Sequence, residues 1–178
     1  QETNRDRRGL WRGGYIHFTN IHQEVQEMTL RLSSKLSNSM MDTASLKASL
    51  PAFVIDIYGG TIPGTPKFAN NVPGSTKLAR ISLTGTGSAL SWETSSTEGQ
   101  LEKNASEVWY GLCALAGTAT WFRICTVADD ASDDDTAKAK YRVDGTVGTS
   151  GADMNLASTT FALNDPIVIS AFSLTLPR

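Results

Sequence analysis

Apolar and polar residues alternate along most of the chain beyond residue 52, which is typical of β-strands with one buried face. Phe53, Ile55 and Ile57 share one face of the first such segment, residues 53–58. Residues 77–84 alternate in the same way. Further alternating segments, separated by turn residues, cover 106–114, 118–126, 140–147, 153–156, 159–161 and 167–176. The pattern predicts about seven short strands and little helix.

Helical spacing of apolar residues is confined to residues 29–48. We expect this helix to break near residue 42, and a second helical turn over 44–50 to stop before Pro51. Its apolar stripe is expected to pack on the sheet rather than bind a cofactor. The stripe consists of Leu32, Leu36 and Met40.

Short strands without intervening helices favour an antiparallel sheet over a parallel one. We therefore predict a mainly-β fold, an antiparallel β-sandwich or jelly roll preceded by a short N-terminal α-helix, as a single domain over residues 28–178. The polar segment 93–104 is expected to be an exposed excursion.

Residues 1–27 show no stable hydrophobic period, and three interpretations of them stay open. The segment is expected to be a poorly ordered N-terminal arm. Alternatively, it docks on a neighbouring subunit through Arg8, Trp11 and Tyr15, because arginine and aromatic residues anchor protein interfaces. If Met28 is the native start, these residues are a non-native leader.

Charge and composition exclude several classes of function. The chain has 178 residues and a formal net charge of −2, so no overall basic field favours nucleic-acid binding. No apolar run approaches the ~20 residues that a membrane-spanning helix needs. Low charge with many small polar residues is common in β-rich domains.

The two cysteines, Cys113 and Cys125, are too few for a disulfide framework and lack zinc-ligand spacing. If 106–114 and 118–126 form a hairpin, Cys113 lies opposite a residue near Ala119 and not opposite Cys125. We predict that both thiols are reduced and either buried or half-buried.

Candidate catalytic chemistry is sparse. The only histidines, His17 and His22, lie in the N-terminal segment, so the β domain lacks the usual general base and the commonest metal ligand. The chain has no nucleophile elbow, phosphate loop or dinucleotide fingerprint. Asp56 is expected to point to solvent, because its strand alternates. We therefore predict a protein that is not an enzyme and needs no cofactor or metal.

The acidic run over residues 129–135 is the one cluster that suggests a cation. It lacks the fixed spacing and the bidentate glutamate of an EF-hand loop, so a solvated acidic loop is expected. Calcium binding stays open as the alternative.

Two tryptophans are candidates for an exposed surface. Trp109 is opposite in phase to Val108 and Tyr110, and Trp121 is opposite in phase to Phe122. Both are predicted to lie on an outer face in line with Arg123, as part of a protein interface. A second core layer, or a ligand platform that includes Trp92, remains an alternative.

Five sequence blocks stand out between Met28 and Pro177: Leu30–Ser33, Ile55–Pro63, Gly117–Arg123, Asp144–Leu156 and Ser170–Pro177. These blocks resemble small structural proteins of tailed bacteriophages and prophages. The segments 85–104 and 127–138 depart from that pattern.

The resemblance implies a head-decoration or tail-associated virion protein, made in the host bacterial cytoplasm, that packs against capsid or tail subunits and forms a homo-oligomer. A carbohydrate- or receptor-binding module of a phage fibre is the alternative. In the block 144–156, Gly145, Gly148 and Gly151 are expected to turn the chain between strands. The side chains of Asp153 and Asn155 are expected to bond to nearby backbone amides.

Overall fold

The computed structural model describes residues 30–66, 74–96, 98–132 and 140–175. The expectations for the N-terminal segment, including Arg8, Trp11 and Tyr15, fall outside these described residues.

Two short helices precede all but one strand of the main sheet, and the sequence predicts both helical segments. Helix α1 (Ser34–Asp42) begins after Ser33, whose Oγ accepts a hydrogen bond from the Leu36 N–H (3.3 Å). Helix α2 (Leu46–Ser49) begins after Ser45, whose Oγ accepts from the Ala48 N–H (3.2 Å). Side-chain caps of this kind satisfy backbone donors that a helix start leaves free. Neither helix has the length and apolar character to cross a bilayer, as far as the described residues go.

The start of the predicted helix is wrong by several residues. Arg31 and Leu32 form a short strand, β1 (Arg31–Leu32), in place of a helical turn. The apolar stripe therefore reduces to Leu36, which is fully buried, and the partly buried Met40.

In the described part of the chain, ten further strands follow α2. They are β2 (Val54–Gly60), β3 (Ser75–Leu83), β4 (Gln100–Glu102), β5 (Trp109–Leu112), β6 (Gly117–Cys125), β7 (Arg142–Gly148), β8 (Met154–Asn155), β9 (Thr160–Phe161), β10 (Pro166–Ile169) and β11 (Ser173–Thr175).

Most of these strands form one large antiparallel sheet with the order β1-β7-β6-β2-β3-β5-β10. Strand β9 pairs with β6 in the antiparallel sense, and β8 pairs with β7 in the parallel sense. Strands β11 and β4 form a separate two-stranded sheet. The predicted mainly-β, antiparallel fold with a short helix before the sheet is confirmed.

The predicted hairpin between β5 and β6 is wrong. Strand β5 pairs with β3 and β10, whereas β6 pairs with β2 and β7, so the two consecutive strands lie on opposite sides of the β2–β3 pair. Cys113 accordingly faces Ala79 rather than a residue near Ala119. Both Cys113 and Cys125 are free and buried, as predicted.

Two other strand predictions need correction. Segment 93–104 is not wholly an exposed excursion, because it contains β4, whose Leu101 is only 7% exposed. The predicted last strand, residues 167–176, divides into β10 and β11, which belong to different sheets.

The main core lies between the large sheet and a second layer made of the two helices and the β4–β11 sheet. Its centre is a cluster of aromatic rings. The rings of Phe53 and Trp92 stack at 4.3 Å, and the ring of Trp109 meets Phe53 edge-on at 5.4 Å. The indole N–H of Trp92 donates to the Leu50 carbonyl (3.0 Å), and that of Trp109 donates to Glu107 Oε2 (2.8 Å), so neither donor is lost on burial.

Candidate protein-interaction surface

The face of the large sheet that turns away from this core carries a row of charged residues with alternating sign. The register places Arg31 opposite Asp144, Asp144 opposite Arg123, Arg123 opposite Asp56, and Asp56 opposite Arg80. We call these five residues the charged row. They lie on β1, β7, β6, β2 and β3, five adjacent strands of the sheet.

Two bidentate ion pairs hold the row together. Arg123 donates through Nε to Asp144 Oδ1 and through Nη2 to Oδ2, each at 2.7 Å, and both side chains are at most 1% exposed. Arg80 donates through Nε and Nη2 to the two oxygens of Asp56 (2.7 and 2.8 Å). Lys77 Nζ adds a third contact to Asp56 at 2.8 Å. Bidentate guanidinium–carboxylate pairs are among the strongest hydrogen-bonded contacts in proteins.

Burial and hydrogen bonding act in opposite directions on the Arg123–Asp144 pair. Burial acts to lower the pKa of Arg123, but the hydrogen bonds and charge of Asp144 outweigh it and raise that pKa above its ordinary value. Burial raises the pKa of Asp144, and the hydrogen bonds from Arg123 oppose that rise. Two equal hydrogen bonds from a protonated guanidinium are the geometry of an ionised carboxylate. The two carboxylates therefore serve the structure of the sheet.

A third bidentate pair ties the 126–132 loop to β7. Arg142 donates through Nε and Nη2 to the two oxygens of Asp129, both at 2.6 Å, and to the carbonyls of Ser132 (2.7 Å) and Pro66 (3.2 Å). Burial would raise the pKa of Asp129, but the hydrogen bonds from Arg142 and from the Ala131 N–H lower it.

These contacts correct part of the acidic-loop prediction. Asp129 is not solvated, since its side chain is 3% exposed, and Lys140 pairs with Asp130. Residues 133–135 lie outside the described part of the chain. Within that part, no three histidine, cysteine, aspartate or glutamate side chains converge as a metal-ligand set.

The predicted exposure of Trp121 and Arg123 is wrong, although both do lie on the face of β6 that is opposite Phe122, as predicted. Both lie opposite Phe122 in phase, yet they are 0% and 1% exposed, because this second face of the sheet is also buried. The ring of Trp121 stacks on Tyr58 at 4.0 Å, and the Arg123 guanidinium lies 5.5 Å from its centre. The same burial corrects Asp56, which is 2% exposed rather than solvated.

The prediction that Trp109 lies on the outer face of the sheet is also wrong, because its side chain points inwards. It is fully buried in the main core, while Val108 and Leu112 on the other side of β5 are 55% and 50% exposed. Trp92 is also buried, at 3% exposure. These tryptophans therefore offer no accessible platform to a ligand.

The glycines of the block 144–156 do not all turn the chain as predicted. Gly151, with φ +66°, does lie in a turn. Gly145 does not turn the chain: it lies inside β7, where a Cβ would come 2.6 Å from Phe122 Cζ, so it is needed for close packing. Gly148 ends β7, and the Leu156 N–H donates to its carbonyl (2.9 Å).

The two polar residues of that block behave as predicted. Asp153 Oδ2 accepts hydrogen bonds from the backbone N–H and the hydroxyl of Thr146, both at 2.8 Å. Asn155 Oδ1 accepts from the Ala152 N–H (3.2 Å).

Exposed apolar side chains collect at the end of the sheet opposite β1. Tyr110 pairs with Val168, and Leu112 pairs with Pro166, so these four residues share the outer face of β5 and β10. Val108, two residues before Tyr110, continues that face. We call these five residues the β5–β10 patch. Leu115 and Leu163, which are 51% and 59% exposed, follow β5 and precede β10 respectively.

A groove borders this patch on the β3 side. It has a volume of about 420 Å³ and is lined by the basic Lys77 and Arg80 and by Tyr110 and Leu112. The patch is thus apolar at its centre and basic along one flank. The sequence contains the alternation of Val108, Tyr110 and Leu112. Which side of β5 faces outwards depends on the sheet order, which the sequence does not show.

A larger depression, about 620 Å³, lies elsewhere, with Lys103, Asp153, Asn155 and Phe172 among its lining residues. Several of its polar groups already serve the fold: Lys103 Nζ donates to the carbonyls of Asn104 (2.9 Å) and Glu107 (2.5 Å). Asp153 and Asn155 hold the turn described above.

No family model matches this chain, and neither the curated proteins nor the solved structures contain a match. In the described residues, fold and surface define a mainly-β protein whose buried charges are paired and most of whose exposed large apolar side chains lie at one end of the sheet.

Proposed function

We propose that this protein is a non-enzymatic structural component of a tailed-phage virion that packs against capsid or tail subunits. The observation that carries the proposal is the β5–β10 patch. Exposed apolar surface gathered in one place marks an interaction site, and contacts between proteins are a common case. Tyr110 and Arg80 beside it fit the composition of protein interfaces, in which tyrosine and arginine are enriched.

Two further features support the proposal. The carboxylates of the charged row are held in ion pairs, which leaves them poorly suited to acid–base chemistry. The sequence blocks from Leu30 to Pro177 resemble small virion proteins. Under this proposal the partners are protein subunits, not nucleic acid or membrane, and the protein is made in the host cytoplasm and assembled into the virion.

The carbohydrate-binding alternative depended on exposed tryptophans. Trp92, Trp109 and Trp121 are all at most 3% exposed, so no observation on the described surface favours it.

Purified particles from a host that carries the gene test the proposal. We expect mass spectrometry to find the protein in the particle band of a density gradient. Leu112→Glu should reduce its incorporation at least tenfold, because a buried unpaired charge opposes docking. Met41→Glu is the matched control, since Met41 is 85% exposed on α1, outside the patch. If the wild-type chain is absent from the particles, the proposal is wrong.

A further inference from the structure

We propose that the β5–β10 patch is a two-fold interface between two copies of this chain. The inference deepens the proposed function and rests on it only in treating the patch as a protein contact.

The first observation is the concentration of apolar surface. Five of the seven exposed large hydrophobic residues on the described surface lie in or beside β5 and β10. The two others, Met41 and Val127, lie elsewhere in the fold. The five are Val108, Leu112, Leu115, Leu163 and Val168, each at least 50% exposed.

The second observation is the area that these side chains offer. Five aliphatic side chains exposed by half, with Tyr110 and Pro166 beside them, present on the order of 500 Å² of apolar surface. A stable interface of standard size buries about 800 Å² on each partner, of which roughly 60% is apolar. The patch therefore supplies about the apolar area that one side of such a dimer needs.

The third observation concerns how the partner lies on the patch. The Cys113 N–H donates to the Asp165 carbonyl (2.9 Å), so residues 165, 167 and 169 direct their backbone groups towards β5. Pro166 and Val168 direct theirs away from the sheet. Proline has no N–H to donate, and β10 is only four residues long, two features that oppose extension of a sheet by an added strand. The geometry favours two outer faces packed on each other.

Charge then selects the direction of the two-fold axis. Lys77 and Arg80 form the basic flank of each patch, and together with Asp56 they carry a net charge of +1. An axis across the strands would bring the two basic flanks together. An axis parallel to the strands places each basic flank against the partner's β10 edge, where the Val168 carbonyl points outwards. The second arrangement is self-complementary, as a two-fold interface requires.

The mass of the purified chain in solution tests this inference, by light scattering at chain concentrations up to about 100 µM, where a contact of micromolar Kd is largely formed. We expect twice the chain mass of 19.1 kDa for the wild type. Leu112→Glu and Val168→Glu should each give 19.1 kDa, and Met41→Glu should remain a dimer. Because Leu112 and Val168 are both about half exposed, the two variants should keep the wild-type circular dichroism spectrum. If one of them fails to fold, the mass of the other still tests the interface.

Two results would overturn the inference. One is a wild-type chain that is monomeric over the whole range, and the other is an oligomer that neither patch variant dissociates. A monomeric chain whose Leu112→Glu variant drops out of particles would assign the patch to another virion subunit and leave the proposed function standing. A monomeric chain that is also absent from particles would refute both the dimer interface and the proposed virion function.

Discussion

Arg123 and Asp144 face each other across β6 and β7 and join through two hydrogen bonds of 2.7 Å, with neither side chain more than 1% exposed. The pair shows that the large sheet buries both of its faces at β6 and β7, and that the two faces differ in chemistry. One face packs aromatic and aliphatic side chains against the second layer. The other buries ion pairs and a stacked tyrosine–tryptophan pair.

Removing one partner of the Arg123–Asp144 pair should lower the free energy of unfolding substantially. Arg123→Met leaves the Asp144 carboxylate buried without its partner, which costs about 3–5 kcal/mol in the free energy of unfolding. Urea denaturation followed by tryptophan fluorescence measures the loss. The double variant Arg123→Met/Asp144→Leu is the control, because it removes both charges and should recover most of the stability. A single variant within about 1 kcal/mol of wild type would contradict the assigned role of the pair.

Gly111 should not tolerate a side chain, although it lies in a regular strand. A Cβ at this position would be 2.2 Å from the backbone oxygen of Arg80, so Gly111→Ala must push β3 and β5 apart. We expect a loss of at least about 2 kcal/mol in the free energy of unfolding. Gly64→Ala is the matched control, since a Cβ there meets nothing within 4 Å, and it should change stability by less than about 0.5 kcal/mol. Equal effects of the two substitutions would contradict the close approach of the strands.

Acid should weaken the contribution of Asp129. Its pKa in the folded protein is below the ordinary value of 3.8, so ionised Asp129 stabilises the fold above that pH. The stabilisation is lost as pH falls through the lower folded-state pKa. We expect the difference in unfolding free energy between wild type and Asp129→Asn to be constant from neutral pH to about pH 5 and to shrink below about pH 4.

The raised pKa of Asp144 gives the opposite slope in the same range, but both proteins contain Asp144, so its effect cancels in the difference. A difference that stays constant into acid would show that Arg142 does not stabilise the Asp129 carboxylate.

The two thiols should be inert in the folded protein. Burial raises the pKa of Cys125 to about 12 and raises that of Cys113 above its ordinary value. Because the thiolate is the reactive form, iodoacetamide at pH 8 should leave both unmodified until denaturant unfolds the chain. Met41→Cys provides an exposed thiol as the positive control, and mass spectrometry counts the adducts. Rapid labelling of Cys125 in the native protein would contradict its buried position.

Local alternation was sufficient to predict most strands, because it depends on neighbours along the chain. It did not predict the sheet order, since nothing local makes β5 pair with β10 rather than β6. The prediction also assumed that the face of the sheet opposite the core is exposed to solvent. That assumption failed for Asp56 and Trp121, which lie on the second buried face. The prediction for Trp109 failed because alternation alone does not show which side of a strand faces the core.

The interaction surface was missed for the same reason. Leu112 and Val168 are 56 residues apart in sequence, and only the pairing of β5 with β10 brings them together. Nothing local in the sequence distinguishes them from core residues.

The charged row also has a consequence for how the strands find each other during folding. A slip of two residues between β6 and β7 would keep every apolar side chain on its own face, so the hydrophobic pattern alone would not reject it. It would, however, place Arg123 opposite Thr146 or Arg142 and leave Asp144 opposite Trp121 or Cys125. Unpaired buried charges cost several kcal/mol each, which makes such a misaligned intermediate short-lived. The buried charges thus favour the correct alignment of β6 and β7, because in the aligned sheet Arg123 lies opposite Asp144.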